Sequence, residues 1–288
     1  MAAVEEHVEF RSLDGLRLRG TMTLVERPAG GVVLVHGGGV TREEGGFFRR
    51  LARGIAELAS MGVLRFDLRG HGESEGQQED LTLAAVTNDI RAAADEIVTR
   101  TGKPGQVHLV GASFSGGVSA MAAGAYPEVV RRLVLLNPLL DYKRRFVTEK
   151  PYWSGDRLQH EAAHALLTDG FLPHSPTFKL GRPLLNEVFH VAPDDYLGRV
   201  RQPTLIVHGT KDTFIPVESS RYHLERLGSP TRHLLEIDGA QHGIAMPDDP
   251  AYEEPQTRRW QTVVVHAVAD WFTSGEPHLP SDSGTHRC

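Results

Sequence analysis

Val107-His108-Leu109-Val110-Gly111-Ala112-Ser113-Phe114-Ser115-Gly116-Gly117 sets a serine where an apolar, strand-like run gives way to a small-residue, helix-like one. A serine on a sharp strand-to-helix turn has its hydroxyl lifted clear of the sheet, and the next amide faces the same space. That arrangement suits attack on a carbonyl carbon, provided a base reaches the hydroxyl from the other side. Ser113 is therefore the candidate nucleophile. A serine at its own pKa is unreactive, so the chemistry needs an imidazole, and the imidazole needs a carboxylate to orient it.

Two later segments offer those groups. Gly209-Thr210-Lys211-Asp212-Thr213-Phe214-Ile215-Pro216 follows an apolar run ending at His208 and sets Asp212 on a strand-end loop. Asp238-Gly239-Ala240-Gln241-His242-Gly243 follows the last strand-like run and sets His242 on the next loop. Upstream, His36-Gly37-Gly38-Gly39 closes the first wholly apolar run. Glycines there let a backbone N–H approach a substrate oxygen, and with the Phe114 amide it would form an oxyanion hole.

The elements that must position these groups follow a regular rhythm. Residues 4–11 and 16–24 alternate around Asp14-Gly15, a hairpin signal. Residues 31–36, 62–67, 106–111, 132–137, 203–208 and 231–237 are strand-like, and the first of these is apolar throughout, as in strands buried on both faces. Helical spacing spans 47–61, 83–99, about 114–125, 217–227 and 256–272. This alternation predicts an α/β fold with a mostly parallel, doubly wound sheet. The rhythm breaks between about 140 and 198, an aromatic, proline-punctuated stretch that fits an insertion over the carboxyl edge of the sheet. The expected organisation is a catalytic domain of 1–140 and 198–273, an inserted cap of 141–197, and a disordered tail of 274–288.

His36-Gly37-Gly38-Gly39, Arg65-Phe66-Asp67-Leu68-Arg69-Gly70-His71-Gly72-Glu73-Ser74-Glu75-Gly76, the serine turn, Gly209-Thr210-Lys211-Asp212 and Gln241-His242-Gly243 together resemble the α/β-hydrolases. More narrowly they resemble the feruloyl/cinnamoyl esterase-like serine hydrolases, over about residues 30–138 and 200–272. The resemblance implies an α/β-hydrolase fold with an inserted cap. It also implies Ser113 as nucleophile, His242 as base, Asp212 as orienter, and the Gly38 and Phe114 amides as oxyanion donors. Two residues depart from the family pattern. The second glycine of the turn is Ser115 here, which is expected to tilt the turn. The three-glycine loop is also more open than the bulkier form common in feruloyl esterases, so phenolic-ester specificity is not carried over.

Other groups compete for these roles. Asp141, just past the preceding strand, is a rival orienter for His242. His36 and His71 sit beside glycines at strand ends and read as structural. Asp67 and Arg69 read as a loop-bracing ion pair or hydrogen-bond anchor. His160-Glu161-Ala162-Ala163-His164 matches the H-E-x-x-H spacing of zinc peptidases, with Glu187 as a conceivable third ligand, but it lies inside the cap and reads as a partly exposed helix. Gly37 and Gly39, with Trp153 and Phe189 of the cap, are expected to border the substrate. From 141 to 195 seven Lys/Arg face eight Asp/Glu, which disfavours a polyanionic substrate.

A net charge of −6 and the lack of a long basic run argue against nucleic acid as a partner. Cys288 is the single cysteine, so no internal disulfide forms. The acidic start lacks an apolar signal core, and no apolar stretch approaches the roughly 18–20 residues of a membrane span, so a cytoplasmic protein is expected. The chemistry needs no cofactor or metal. The function expected is hydrolysis of a carboxylic ester or thioester of a small to medium acyl group. Alternatives are an acyltransferase or cyclase using the same acyl-enzyme and, more remotely, a small-molecule binder or a zinc peptidase through His160 and His164.

Overall fold

Apolar alternation on either side of Asp14-Gly15 folds into the antiparallel strands β1 (Val4–Arg11) and β2 (Arg17–Leu24), with Arg11 opposite Arg17 and Gly15 in the turn at φ 87°. The computed structural model describes residues 3–277 and the backbone of 285–287. Six further strands are parallel to one another: β3 (Gly31–Val35), β4 (Gly62–Phe66), β5 (Val107–Ala112), β6 (Val130–Leu136), β11 (Thr204–Gly209) and β12 (Arg232–Ile237). Their order in the sheet, with the hairpin at one edge, is β1-β2-β4-β3-β5-β6-β11-β12. Every residue of β3, β4, β5 and β11 is buried. Helices on both faces explain that burial: α2 (Leu83–Thr101) and α3 (Phe114–Ala125) lie on one, α1 (Phe47–Ala59) and α7 (Pro255–Thr273) on the other. The short α6 (Val217–Leu224) links β11 to β12.

Strand order reverses at β3, which has β4 on one side and β5 on the other. The crevice outside the carboxyl ends of two such strands is where ligands bind in open α/β sheets. Val35 pairs with Gly111, so the glycine loop and the serine turn leave the sheet side by side.

Residues 141–197 hold more regular structure than expected. A π-helical segment (Arg144–Thr148) leads to the hairpin β7 (Trp153–Ser154) and β8 (Arg157–Leu158), then α4 (His160–Thr168). A second hairpin, β9 (Phe171–Ser175) and β10 (Phe178–Gly181), precedes α5 (Arg182–Glu187) and a 3-10 turn over Pro193–Arg199. Phe146, Leu166, Leu172, Phe178 and Leu184 join the same apolar cluster as α2 and α3, so the insertion shares the main core. Polar anchors add to this docking. Glu187 accepts the N-terminal amides of Leu83 and Ala84 on α2, and Gln78 bridges Thr177 and Lys179.

Part of the expected disordered tail, residues 274–288, is described. Residues 285–287 form β13 (Thr285–Arg287), antiparallel to β12. The outer edge of β12 carries unpaired backbone groups that an extended segment satisfies. Residues 278–284 and 288 lie outside the described residues.

Candidate active site

Ser113 joins β5 to α3 at φ 50°, ψ −119°, a conformation that costs an L-residue energy and persists only when its surroundings hold it. Three backbone hydrogen bonds do so: Ser113 N–H donates to Leu136, and the Ser113 carbonyl accepts from Gly116 and Leu139. A side chain at Gly111 would stand 2.7 Å from the Ser115 carbonyl oxygen, so only glycine fits under the turn. Ser115, the departure from the family pattern, is fully buried, and its hydroxyl donates to the His36 carbonyl at 2.5 Å. It thereby ties the start of α3 to the glycine loop after β3.

His242 Nε2 lies 2.9 Å from Ser113 Oγ, and His242 Nδ1 lies 2.7 Å from Asp212 Oδ2. An ionised carboxylate only accepts, so Nδ1 carries the proton and Nε2 accepts from the serine hydroxyl. Asp212 also receives Asn137 Nδ2 at 2.6 Å on Oδ2, and the amides of Phe214 and Ile215 at 2.8 and 2.9 Å on Oδ1. Burial opposes its charge, but hydrogen bonds from His208, His242 and Ile215 hold its carboxyl well below the ordinary range. His208, at the end of β11, is fully buried. Its Nε2 donates to the Ile215 carbonyl at 2.8 Å and also faces Asp212 Oδ2 at 3.4 Å, while Nδ1 accepts from Ser220 at 2.7 Å. Asp141 instead caps the segment after it, accepting from the Arg144 amide at 2.9 Å.

In the glycine loop, the Gly37 amide donates to Glu44 Oε2 at 2.8 Å and the Gly39 amide to His71 Nε2 at 3.1 Å. Among the described residues, the Gly38 and Phe114 amides have no protein acceptor. These are the two donors that the resemblance implies. His36 supports the loop from beneath, its Nε2 accepting from Leu68 at 2.9 Å. Burial and the neighbouring His71 push its pKa down to about 3, so it is neutral. Asp67 and Arg69 are both anchors, though not of each other. Asp67 pairs with Arg42, and Arg69 with Asp89 and Asp14.

From residues 141–197, Phe178 reaches this site. Trp153 and Phe189 pack on each other at 5.7 Å between ring centroids, with Lys143 over the Phe189 ring. The rings around the triad are Phe178, whose atoms would lie 2.6–2.9 Å from a side chain at Gly38, and Phe214, 5.0 Å from the His242 ring. His174 packs against Phe146, Phe178 and Phe214, and Arg145 stacks on Phe214 at 4.0 Å. A cavity of about 270 Å³ opens beyond Phe214, between the cap and α6. Gly37 and Gly39 lie beside Ser113 and under Phe178 and Thr177 respectively. His160 and His164 are exposed on α4, Glu187 caps α2, and no metal-ligating group of three forms among the described residues.

Sequence reasoning did not single out His208, Asn137, Glu44 or Phe178. A histidine inside an otherwise apolar strand was the one available signal, at His208. The others owe their place to backbone geometry that no local pattern displays.

The profile of the Alpha/beta hydrolase family matches residues 32–255. A monoacylglycerol lipase of Mycolicibacterium smegmatis is 25% identical over 93% of this chain and 97% of its own length. The thiohydrolase aneE of Aspergillus aculeatus is 28% identical over 63% of this chain, a match spanning 55% of that enzyme. Among solved structures, Est1E from Butyrivibrio proteoclasticus, with ferulic acid bound, superposes with a TM-score of 0.74 at 20% identity, over 93% of this chain and 98% of its own. DcsB in complex with its substrate analogue gives 0.74 at 19% identity, over 94% and 99%. The sheet order, the serine turn and the matched profile converge: this chain belongs to the alpha/beta hydrolase family.

Proposed function

We propose that this hydrolase is a serine esterase or thioesterase acting on small to medium acyl groups through a Ser113-His242-Asp212 triad. The observation that carries the reading is the continuous chain of hydrogen bonds from Ser113 Oγ through His242 to Asp212, at 2.9 and 2.7 Å. In this scheme Ser113 Oγ attacks the carbonyl carbon while its proton passes to His242 Nε2. Asp212 keeps the imidazole tautomer and stabilises the imidazolium. The Gly38 and Phe114 amides hold the developing oxyanion, and the N-terminus of α3 adds its positive end. His242 then protonates the leaving group, and water releases the acyl chain from the serine.

Aromatic enclosure by Phe114, Phe178 and Phe214 supports a compact, largely apolar acyl group. The monoacylglycerol lipase and the thiohydrolase among the relatives fit an acyl carrier of ester or thioester type. Labelling with a fluorophosphonate probe, lost in Ser113→Ala, tests the nucleophile. A panel of p-nitrophenyl esters of rising chain length beside acyl thioesters tests the substrate class. Wild-type protein that resists the probe and cleaves none of the panel would end the proposal.

A further inference from the structure

Glu44 belongs to none of the motifs above, yet its carboxylate stands beside the reacting atoms. It opens the 3-10 turn Glu44–Gly46 ahead of α1 with φ 45°, a left-handed conformation that a glutamate seldom adopts. Oε2 accepts the Gly37 amide at 2.8 Å. A Cβ at Gly37 would stand 3.6 Å from Glu44 Oε1 and 3.6 Å from Ser113 Oγ, so the two side chains flank the same small space. Burial raises the Glu44 carboxyl above its ordinary value, although the Gly37 amide and His242 draw it back in part.

A cavity of about 20 Å³ lies there, lined by Glu44, Ser113, Asn137, His242 and Gly243 among others. Asn137 is 2% exposed, and with its Nδ2 on Asp212 its Oδ1 is a buried acceptor with no hydrogen-bond partner among the described residues. One water needs roughly 10–15 Å³ and two to four polar partners. A carboxylate, an orphaned amide oxygen, a hydroxyl and an imidazole supply them.

We propose, resting on Ser113 as the nucleophile, that Glu44 is a catalytic residue of the second half-reaction. Glu44 and Asn137 hold the water that cleaves the acyl-enzyme. In the free enzyme the Ser113 hydroxyl occupies His242 Nε2, and the water donates to Glu44 and Asn137. Acylation removes that hydroxyl proton and frees Nε2, so the water turns one hydrogen from Asn137 to His242. Its oxygen attacks the acyl carbon as that proton passes to Nε2. The bond between the acyl carbon and Ser113 Oγ then breaks, and His242 returns the proton to Oγ. The second hydrogen leaves with the acid product, and Glu44 keeps its charge throughout.

Stopped-flow cleavage of p-nitrophenyl butyrate by wild type and Glu44→Gln separates the two half-reactions, with intact mass spectrometry to detect the acyl adduct. Glutamine retains an oxygen for the Gly37 amide but not the carboxylate's charge. The expected result is a burst of p-nitrophenol at close to the wild-type rate, then steady turnover reduced roughly 10²-fold, the scale of a misplaced reactant. The adduct should accumulate, and added hydroxylamine should release it. Equal loss in burst and steady phases would reduce Glu44 to a brace for the glycine loop, and no loss in either would also overturn the proposal. Wild-type enzyme that turns over the ester without ever forming a Ser113 adduct would instead remove the nucleophile reading beneath it.

Discussion

Asn137 and His242 hydrogen-bond the same oxygen of Asp212, at 2.6 and 2.7 Å. The other Asp212 oxygen is filled by two backbone amides, so the carboxylate has a full set of donors and one orientation. Asn137 itself sits at φ 43°, at the end of β6, with its amide bonded to Val207 on β11. Asp212 is therefore held by the sheet itself, through two adjacent parallel strands.

Asn137→Ala removes one donor to Asp212 and leaves the rest of the shell. It is expected to lower kcat/KM about tenfold with little change in KM, the size of one hydrogen bond to a charged group. Asp212→Asn presents a donor or a neutral oxygen to Nδ1 and should cost about 10⁴ in kcat by admitting the wrong tautomer. Steady-state kinetics on one ester, with circular dichroism to confirm folding, checks both. Similar losses from the two changes would contradict this ranking.

Phe178 explains why the middle of the glycine loop bears no side chain. Gly38→Ala sets a methyl within 2.6–2.9 Å of that ring, which is itself only 2% exposed. Turnover is expected to fall about 10²-fold as the oxyanion donor is displaced. Gly38→Ala/Phe178→Ala should recover part of it, because the obstruction is gone. A double variant no better than the single one would show that the ring is not what the methyl meets.

Ser115 is bonded where the family pattern has glycine. Ser115→Gly, which restores that pattern, removes the buried donor to the His36 carbonyl and places another glycine in α3. A cost of about 2–3 kcal/mol is expected from the lost bond and the helix propensity together. Urea unfolding measures it. A variant as stable as wild type would mean that the bond contributes nothing net.

Acid sensitivity should begin with histidines. His36 and His108 are at most 1% exposed, and burial pushes both from 6.5 down to about 3. The unfolded chain takes up protons below about pH 6.5 and the native sites do not, so this stability is full above 6.5 and is lost as pH falls toward 3. Asp212, held below the ordinary carboxylate range, withdraws its share only at lower pH. Among the described residues His108 Nδ1 has no hydrogen-bond partner, and its ring lies 4.6 Å from Phe272, so His108→Leu removes a buried, unpaired nitrogen. Its Tm should exceed wild type by roughly 3 °C more at pH 5 than at pH 8. Parallel Tm profiles for the two proteins would refute this assignment.

Much of the fold is legible because its signals are local. Apolar runs of five or six residues mark strands covered on both faces, and 3.6-residue spacing marks the helices between them. The order of motifs then marked Ser113, Asp212 and His242 as candidates. The cap was harder to read. Its short hairpins bury side chains against α2 and α3 rather than among themselves, which sets Phe178 over Gly38, while Phe214, from the loop after β11, packs on His242.

What composition and spacing determined on their own were the elements, their alternation and the loops that carry chemistry, since each follows from the periodicity of a few neighbouring residues. Tertiary structure alone decided which groups meet. Asn137 and His208 reach Asp212, Ser115 reaches His36, and Glu44 reaches Gly37 and the cavity at Ser113. Apart from His208 and Asp212, these contacts join residues separated along the chain, and all depend on strand register and left-handed backbone turns, which take their form only once the sheet has assembled.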